Sequence, residues 1–288
     1  MVLIIRNNMD RNFVLWASKD GRIRFSYKMD MTTEVDNCLL HNHDSYEIYM
    51  FLEGDVNFFV EGSTYHLNPY DTLVIKNNEM HQTVHLKKEK YTRIVLNINP
   101  QVFKELNCEQ YMKTFAEKKL GEGNLIKGDY VRKSGLWDAF ERLQQYAKNS
   151  KDEDNEIVIK AILVEMLYIL HKSETHSQDQ GAIKSDLIKS IMRYIDKHLS
   201  GIENLDQIAE EFFISKCHLC RVFKAETGMT VNRYITNRRI IRVRDMCRNG
   251  ENISLACTKA GFGSYSNFYK IFMRETGESP RKGLKMKN

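Results

Sequence analysis

The feature that most constrains this chain is an internal repeat in its C-terminal third. The segment RVFKAETGMTVNRY, Arg221 to Tyr234, aligns with KIFMRETGESPRKG, Lys270 to Gly283, at a spacing of 49 residues. That offset pairs Phe223 with Phe272, Glu226 with Glu275, Thr227 with Thr276, Ser215 with Ser264 and Leu219 with Phe268. An offset of 48 pairs Leu205 with Ile253 and Ala209 with Cys257. A unit of two helices and a tight turn is therefore expected twice. In each copy a small residue, Ala209 or Cys257, lets the first helix approach its neighbour, and a serine, Ser215 or Ser264, caps the second. Leu219 and Phe223, like Phe268 and Phe272, stand four apart and so form one buried stripe. The opposite face of the second helix is left polar. It carries Lys216, Cys217, Cys220, Arg221 and Lys224 in the first unit, and Tyr265, Ser266, Tyr269, Lys270 and Arg274 in the second.

Charge says what such faces are for. From Ile183 onward Lys and Arg outnumber Asp and Glu by 20 to 11, whereas the remainder holds 23 against 27. A split this lopsided points to a polyanion partner for one domain only, and double-stranded DNA fits two exposed basic helices. Between the units, VNRYITNRRIIRVRDMCRNG predicts a long basic helix carrying Arg233, Arg238, Arg239, Arg242, Arg244 and Arg248. These lie all round a helix, so not all can face DNA. The pair Cys217 and Cys220 invites a metal or redox reading. Yet the two stand at i and i+3 on the recognition helix, and Cys247 and Cys257 lack zinc-finger spacing, so both are read as small groups against base edges.

The stretch Leu205 to Lys285 resembles the tandem DNA-binding domain of the AraC/XylS family of transcription activators. The likeness runs through LDQIAEEFFISKCHLCRVFKAETGMTVNRYI, Arg239, and ISLACTKAGFGSYSNFYKIFMRETGESPRK, including the Gly261-Phe262 turn and the late Gly277 and Pro280. Val243, Cys247, Ala256, Cys257 and Gly283 depart from the family's usual residues at positions that read as packing rather than DNA contact. The resemblance implies a base-contacting role for Arg221, a structural role for Arg239, and RNA polymerase as a partner.

The first part of the chain has another character. From about Phe25 to Ile98 it predicts short strands, YEIYMFL, VNFFV, STYHL, TLVIK and RIVLNI, broken by turns near Gly54 and Gly62. An antiparallel sandwich or barrel follows. After Pro100 the spacing becomes helical, with helices expected at Gln101–Met112, Tyr130–Asn149 and Glu156–Lys172. The last is apolar nearly all round, which requires burial on more than one side, against the barrel and against a second subunit. Residues 173–182 read as a polar linker.

Within HNHDSYEIYMFLEG, His41, His43 and Glu47 precede Gly54 at a spacing that resembles the first cupin motif, and His81 stands where the second motif supplies a histidine. In metal-binding cupins such residues hold a transition metal. The second motif is degraded, since Tyr70, Lys76 and Asn78 replace its glycines and proline. The expectation is therefore no cofactor, with His41, His43, Glu47, Tyr49 and His81 binding a small effector, a sugar among the candidates. Phe51 would share the pocket wall. A transition metal on His41, His43, Glu47 and His81 is the alternative, and plain barrel lining a further one.

These readings give an α+β chain. A cupin-like antiparallel β-barrel covers 1–100, a helical dimerisation segment 101–172, a linker 173–182, and an all-α tandem helix-turn-helix domain 183–288. At 288 residues, 42% hydrophobic and 28% charged, two globular domains are affordable. Val2 to Ile5 is too short for a secretory or membrane segment, so a cytoplasmic chain with reduced thiols is expected at its six cysteines, Cys38 and Cys108 among them. The function expected is a non-enzymatic, effector-responsive transcription activator that works as a homodimer away from membranes. The rival is a metal-dependent cupin enzyme with an appended DNA-binding module.

Overall fold

A computed structural model describes residues 11–31, 41–148, 154–173, 182–184, 186–227, 229–276 and 279–284. Cys38, Gly228, Gly277 and most of the expected linker lie outside the described residues. The chain forms two compact units, Met1–Lys184 and Ser185–Asn288.

Among the described residues the first unit shows ten strands in two sheets. The six-stranded sheet has the order β1 (Arg11–Ala17), β2 (Ile23–Met31), β8 (Lys90–Ile98), β3 (Tyr46–Glu53), β6 (Thr72–Ile75), β9 (Leu125–Ile126). The four-stranded sheet runs β10 (Ala182–Lys184), β5 (Ser63–His66), β4 (Val56–Val60), β7 (His81–His85). All pairings are antiparallel. Period-two alternation separates two cores. Tyr49, Phe51, Phe58, Tyr65, Leu73, Ile75, Tyr91 and Val95 fill the space enclosed by the two sheets. Ile48, Met50, Val74, Ile94, Leu96 and Ile98 point the other way, onto helices.

Those helices are α1 (Pro100–Glu105), α2 (Glu109–Glu117), α3 (Gly128–Lys133), α4 (Leu136–Lys148) and α5 (Asn155–Lys172). Two of the expected helices are each divided. The one at 101–112 breaks at Asn107, whose φ is 51°, and the one at 130–149 breaks at Gly135, whose φ is 82°. In α5, Ile159, Ile162, Leu163, Met166, Leu167 and Leu170 are buried in the helix core. Ile157, Ala161 and Tyr168 remain exposed on its outer side.

Five strands lie outside the five named from the sequence: β1, β2, β7, β9 and β10. The last corrects the linker and the domain boundary. Ser173 is buried at the end of α5, donating to the Leu170 carbonyl at 2.6 Å, and Ala182–Lys184 pair with β5. The first unit thus keeps Ile183 and Lys184, which the sequence reading places in the DNA-binding domain.

The departures from the second cupin motif have physical reasons. Tyr70 holds a left-handed φ of 71°, the conformation for which glycine is the default, and its ring meets Trp137 edge-on at 5.0 Å. Lys76 is buried and donates to the Lys118 carbonyl at 2.6 Å.

The second unit holds α6 (Asp186–His198), α7 (Asp206–Glu211), α8 (Lys216–Thr227), α9 (Val231–Arg248), α10 (Ile253–Ala260), α11 (Tyr265–Thr276) and α12 (Pro280–Gly283). Helices α7 and α8 form one helix-turn-helix, α10 and α11 the other, and α9 joins them.

Candidate functional site

In the first unit, β3 and β8 run side by side with Glu47 opposite Asn97. Alternation turns Glu47 inward together with Tyr49 and Phe51. His43 precedes β3, and its Nε2 lies 2.8 Å from the nearer carboxylate oxygen, Oε2, of Glu47. Asn97 donates its side-chain N–H to the same oxygen at 2.9 Å. His81, the first residue of β7, completes the group: ligand atoms of His43, Glu47 and His81 all lie within 4.8 Å of one another. Among the described residues this is the one such convergence of His, Cys, Asp or Glu, and Cys217 and Cys220 form no part of any.

The backbone fixes how the two imidazoles are presented. His43 Nδ1 lies 2.9 Å from the Ser45 carbonyl, and His81 Nδ1 lies 3.0 Å from the Glu79 carbonyl. A carbonyl only accepts, so both Nδ1 atoms donate and both Nε2 atoms face the site. His81 is 1% exposed and its Nε2 has no hydrogen-bond partner. Burial, reinforced by the charges of His41 and His43 against the opposing Glu47, pushes His81 down to about 3. Burial alone would raise the Glu47 carboxyl, but the His43 contact, neighbouring imidazole charge and the Asn97 bond hold it well below the usual carboxylate range. A neutral, lone-pair-bearing His81 thus stands beside an ionised Glu47.

The other residues expected here divide. Tyr49 is buried, its hydroxyl bonded to that of Tyr91 and its ring 4.7 Å from Phe58, which stacks with His81 at 6.1 Å. Phe51 belongs to the interior cluster. His41 sits differently. Its backbone bridges to His81 and its ring lies 4.5 Å from that of His81, but the residue is exposed and is not among the three whose ligand atoms lie within 4.8 Å of one another. Asn97 and Tyr91 were missed, although both sit at the inward positions of the alternating strand KYTRIVLNI.

In the second unit the repeat is reproduced atom for atom at its caps. Ser215 Oγ accepts from His218 N at 3.2 Å, and Ser264 Oγ from Asn267 N at 3.2 Å. Thr227 donates to the Phe223 carbonyl and Thr276 to the Phe272 carbonyl, each at 2.7 Å. Leu219, Phe223, Phe268 and Phe272 are fully buried, as are Ala209 and Cys257 on the first helices. On α8, Lys216, Cys217, Arg221 and Lys224 are exposed and Cys220 is half-buried; on α11, Tyr265, Ser266, Tyr269, Lys270 and Arg274 are exposed. Lys216 meets Asp206 at 2.9 Å, Arg221 meets His218 Nδ1 at 3.2 Å, and Arg274 meets Glu275 at 2.9 Å.

Three arginines of α9, Arg233, Arg238 and Arg239, tie this helix to the rest of its unit. Arg233 pairs with Glu275 at 3.2 Å and Arg238 with Asp196 at 2.6 Å. Arg239 donates to the carbonyls of Leu199 and Ile202.

Residues 208–286 match the model of a helix-turn-helix domain, and residues 35–115 that of an AraC-like ligand binding domain. The HTH-type transcriptional activator RhaS of Citrobacter koseri is 23% identical over 245 residues, covering 84% of this chain and 85% of that protein. RhaS of Salmonella arizonae is 24% identical over 246 residues, with the same coverage. Among solved structures, ToxT from Vibrio cholerae is 14% identical, aligning 91% of this chain with 98% of its own at a TM-score of 0.39.

Proposed function

The chain belongs to the AraC/XylS family of transcription regulators, and from that premise we propose that it is an activator whose barrel senses a small effector and thereby sets how two recognition helices engage DNA. The observation that carries this reading is the duplication of one exposed polar face. Helices α8 and α11 bury equivalent residues and expose matching positions, Lys216, Cys217 and Arg221 on one and Tyr265, Ser266 and Lys270 on the other, on a unit whose charge is strongly positive.

On this reading Lys216, Cys217, Cys220, Arg221 and Lys224 enter one major groove, and Tyr265, Ser266, Tyr269, Lys270 and Arg274 the next. The effector is a small polar molecule with an apolar face, a sugar being one such. His43, Glu47 and Asn97 supply its polar partners, and Tyr49 and Phe58 its aromatic wall. The relatives are transcriptional activators, which favours binding over catalysis. The protein acts in the cytoplasm as a homodimer joined through α5 and recruits RNA polymerase once its effector is bound.

The test is DNase footprinting of the full-length protein on the DNA flanking its own gene. Protection of two adjacent major grooves on one side of the helix is expected. Binding that shows no sequence preference over competitor DNA would overturn the reading.

A further inference from the structure

We propose that Cys217 and Cys220 are a thiol pair that closes to a disulfide within α8 on reaction with a low-molecular-weight disulfide, and that closure switches off DNA reading by the first helix-turn-helix. The effect on DNA rests on the function proposed above; the disulfide itself does not.

Helix geometry permits the bond and makes it consequential. The two residues stand three apart at the start of α8, Cys217 exposed and Cys220 half-buried, and both thiols are free. Residues i and i+3 of an α-helix lie about 5 Å apart at Cα, within the span of about 4.4–6.8 Å that a disulfide bridges. Their Cβ atoms lie about 5–6 Å apart, against about 3.8 Å in a disulfide, so closure must draw in the first turn of the helix. A bond that works against its own helix is readily reduced again, which suits a switch rather than a staple. Cys220 immediately precedes Arg221, whose guanidinium meets His218 Nδ1 at 3.2 Å, so tightening that turn also displaces the side chain proposed to read a base.

Two further observations single out this pair. Cys108 and Cys257 are buried, and burial raises the thiols of Cys108, Cys247 and Cys257, the last to about 11. Thiols react as thiolates, so these three are poor competitors. The repeat supplies the second. At the offset of 49, Cys217 and Cys220 correspond to Ser266 and Tyr269. Helix α11 presents hydroxyls where α8 presents thiols, so neither position needs sulfur in order to face DNA. What sulfur adds there is redox chemistry.

The reaction is a thiol–disulfide exchange in two steps. The Cys217 thiolate attacks one sulfur of the small disulfide, whose S–S bond breaks and releases one thiol. Cys220 then attacks the Cys217 sulfur of the mixed disulfide and expels the second thiol. Two electrons pass from the pair to the small disulfide, and the two cysteine protons are balanced by those on the two thiols released.

The experiment treats full-length protein with oxidised glutathione or with dithiothreitol, alkylates it and cuts it with trypsin. Cleavage after Lys216 and Arg221 leaves both cysteines on one peptide, CHLCR. After oxidation this peptide should be unalkylated and two hydrogens lighter, and Cys220→Ser should instead retain glutathione on Cys217. Affinity for the DNA flanking the protein's own gene should fall about tenfold or more on oxidation, as expected when base contacts are lost, and return with dithiothreitol. The double variant Cys217→Ser/Cys220→Ser, whatever its own affinity, should not respond to oxidant, whereas Cys38→Ser should respond as the wild type does. A CHLCR peptide alkylated at both cysteines after oxidation, or joined to another cysteine, would overturn the pair. A disulfide without loss of affinity, a loss that persists in the double variant, or one abolished by Cys38→Ser would overturn the switch. Protein that closes the disulfide yet shows no sequence-specific DNA binding when reduced would instead sink the regulatory reading and leave the thiol pair standing.

Discussion

Arg239 lies so close to Gly261 that a Cβ on the glycine would stand 2.9 Å from the arginine Nε. Gly261 also caps α10 with a left-handed φ of 95°, so it is constrained twice, by conformation and by contact. The arginine in turn binds the carbonyls of Leu199 and Ile202, the stretch that leads into α7. One side chain of the linking helix thus ties the entry of the first helix-turn-helix to the turn of the second. Gly261→Ala should destabilise the second unit by about 1–3 kcal/mol, from strain and the displaced guanidinium. Arg239→Ala, which leaves both carbonyls unmet, should cost a similar amount. Far-UV circular dichroism reads this loss. Tryptophan fluorescence should not move, because Trp16 and Trp137 both belong to the first unit. An unchanged helical transition in both variants would remove Arg239 as a bridge.

Phe213 is the converse case, a bulky residue where the backbone favours a small one. It holds a φ of 53° in the turn between α7 and α8 and is 96% exposed. Its ring therefore gains little from packing, while its backbone bears a left-handed conformation worth about 1–2 kcal/mol against it. Asparagine tolerates that region without glycine's entropy cost. Phe213→Asn should raise the urea midpoint of the second unit, by about 0.5–1 kcal/mol in stability. A lower midpoint would mean that Phe213 makes a stabilising contact.

The barrel site gives the first unit an acid sensitivity. His81 sits at about 3 in the fold, below the roughly 6.5 of an unfolded histidine, so between these values the unfolded chain binds more protons. Stability therefore falls as pH drops through that window, with a slope of up to about 1.4 kcal/mol per pH unit. Glu47, also depressed, acts in the same direction at the lower end. Tryptophan-monitored urea melts of chelator-treated protein between pH 7 and 4 test this. His81→Gln should flatten the slope. An equally steep slope in that variant would place the sensitivity elsewhere.

Helix α5 carries Ile157 at 71% exposure and Tyr168 at 47%, with Ala161 exposed between them. The spacing puts the three along one stripe. A second copy of the helix would cover it. Ile157→Asp should shift sedimentation of the full chain from dimer to monomer at micromolar concentration. Its melting temperature in the monomeric state should not fall, because the side chain is already in water. A wild-type monomer, or a dimer indifferent to this charge, would exclude α5 as the interface.

What the sequence revealed follows from which contacts are local. The helix-turn-helix units were legible because Leu219 with Phe223, and Phe268 with Phe272, bury themselves four residues apart on one element. Glu47 and His43 were legible because four residues separate them. Asn97 was not, since what brings it to Glu47 is the register of β3 against β8, fifty residues apart in the chain. Strand β9 is two residues long and shows no period to detect, and β10 exists only through its pairing with β5. The break at Asn107 replaces one expected helix by two. His41 is an intermediate case: its spacing matches the motif and its ring lies 4.5 Å from that of His81, but it is exposed and its ligand atoms are not among those of His43, Glu47 and His81 that converge within 4.8 Å.

Base reading and phosphate contact on α8 fall to different side chains. Arg221 follows the buried Leu219 by two positions, which carries it to the exposed side of the helix, where it meets the ring of His218. A guanidinium there can meet guanine O6 and N7 with two parallel bonds, so Arg221→Ala should cost roughly 1–3 kcal/mol at one base pair and relax preference at that position alone. Lys270 is its counterpart on α11. Lacking the fixed fork, it should discriminate more weakly. Lys216 and Lys224 stand near the two ends of α8, where the phosphate backbone rises on either side of a groove. Their loss should weaken binding to every sequence and lower the slope of affinity against salt by about one released ion each. Lys216 must first leave Asp206, a pair between two exposed groups that costs little to break. Affinities on a series of single-base operator variants, each at several salt concentrations, distinguish the two classes. If Arg221→Ala weakens all sequences equally with a reduced salt slope, Arg221 contacts a phosphate, and α8 lies in its groove rotated from the orientation argued for it.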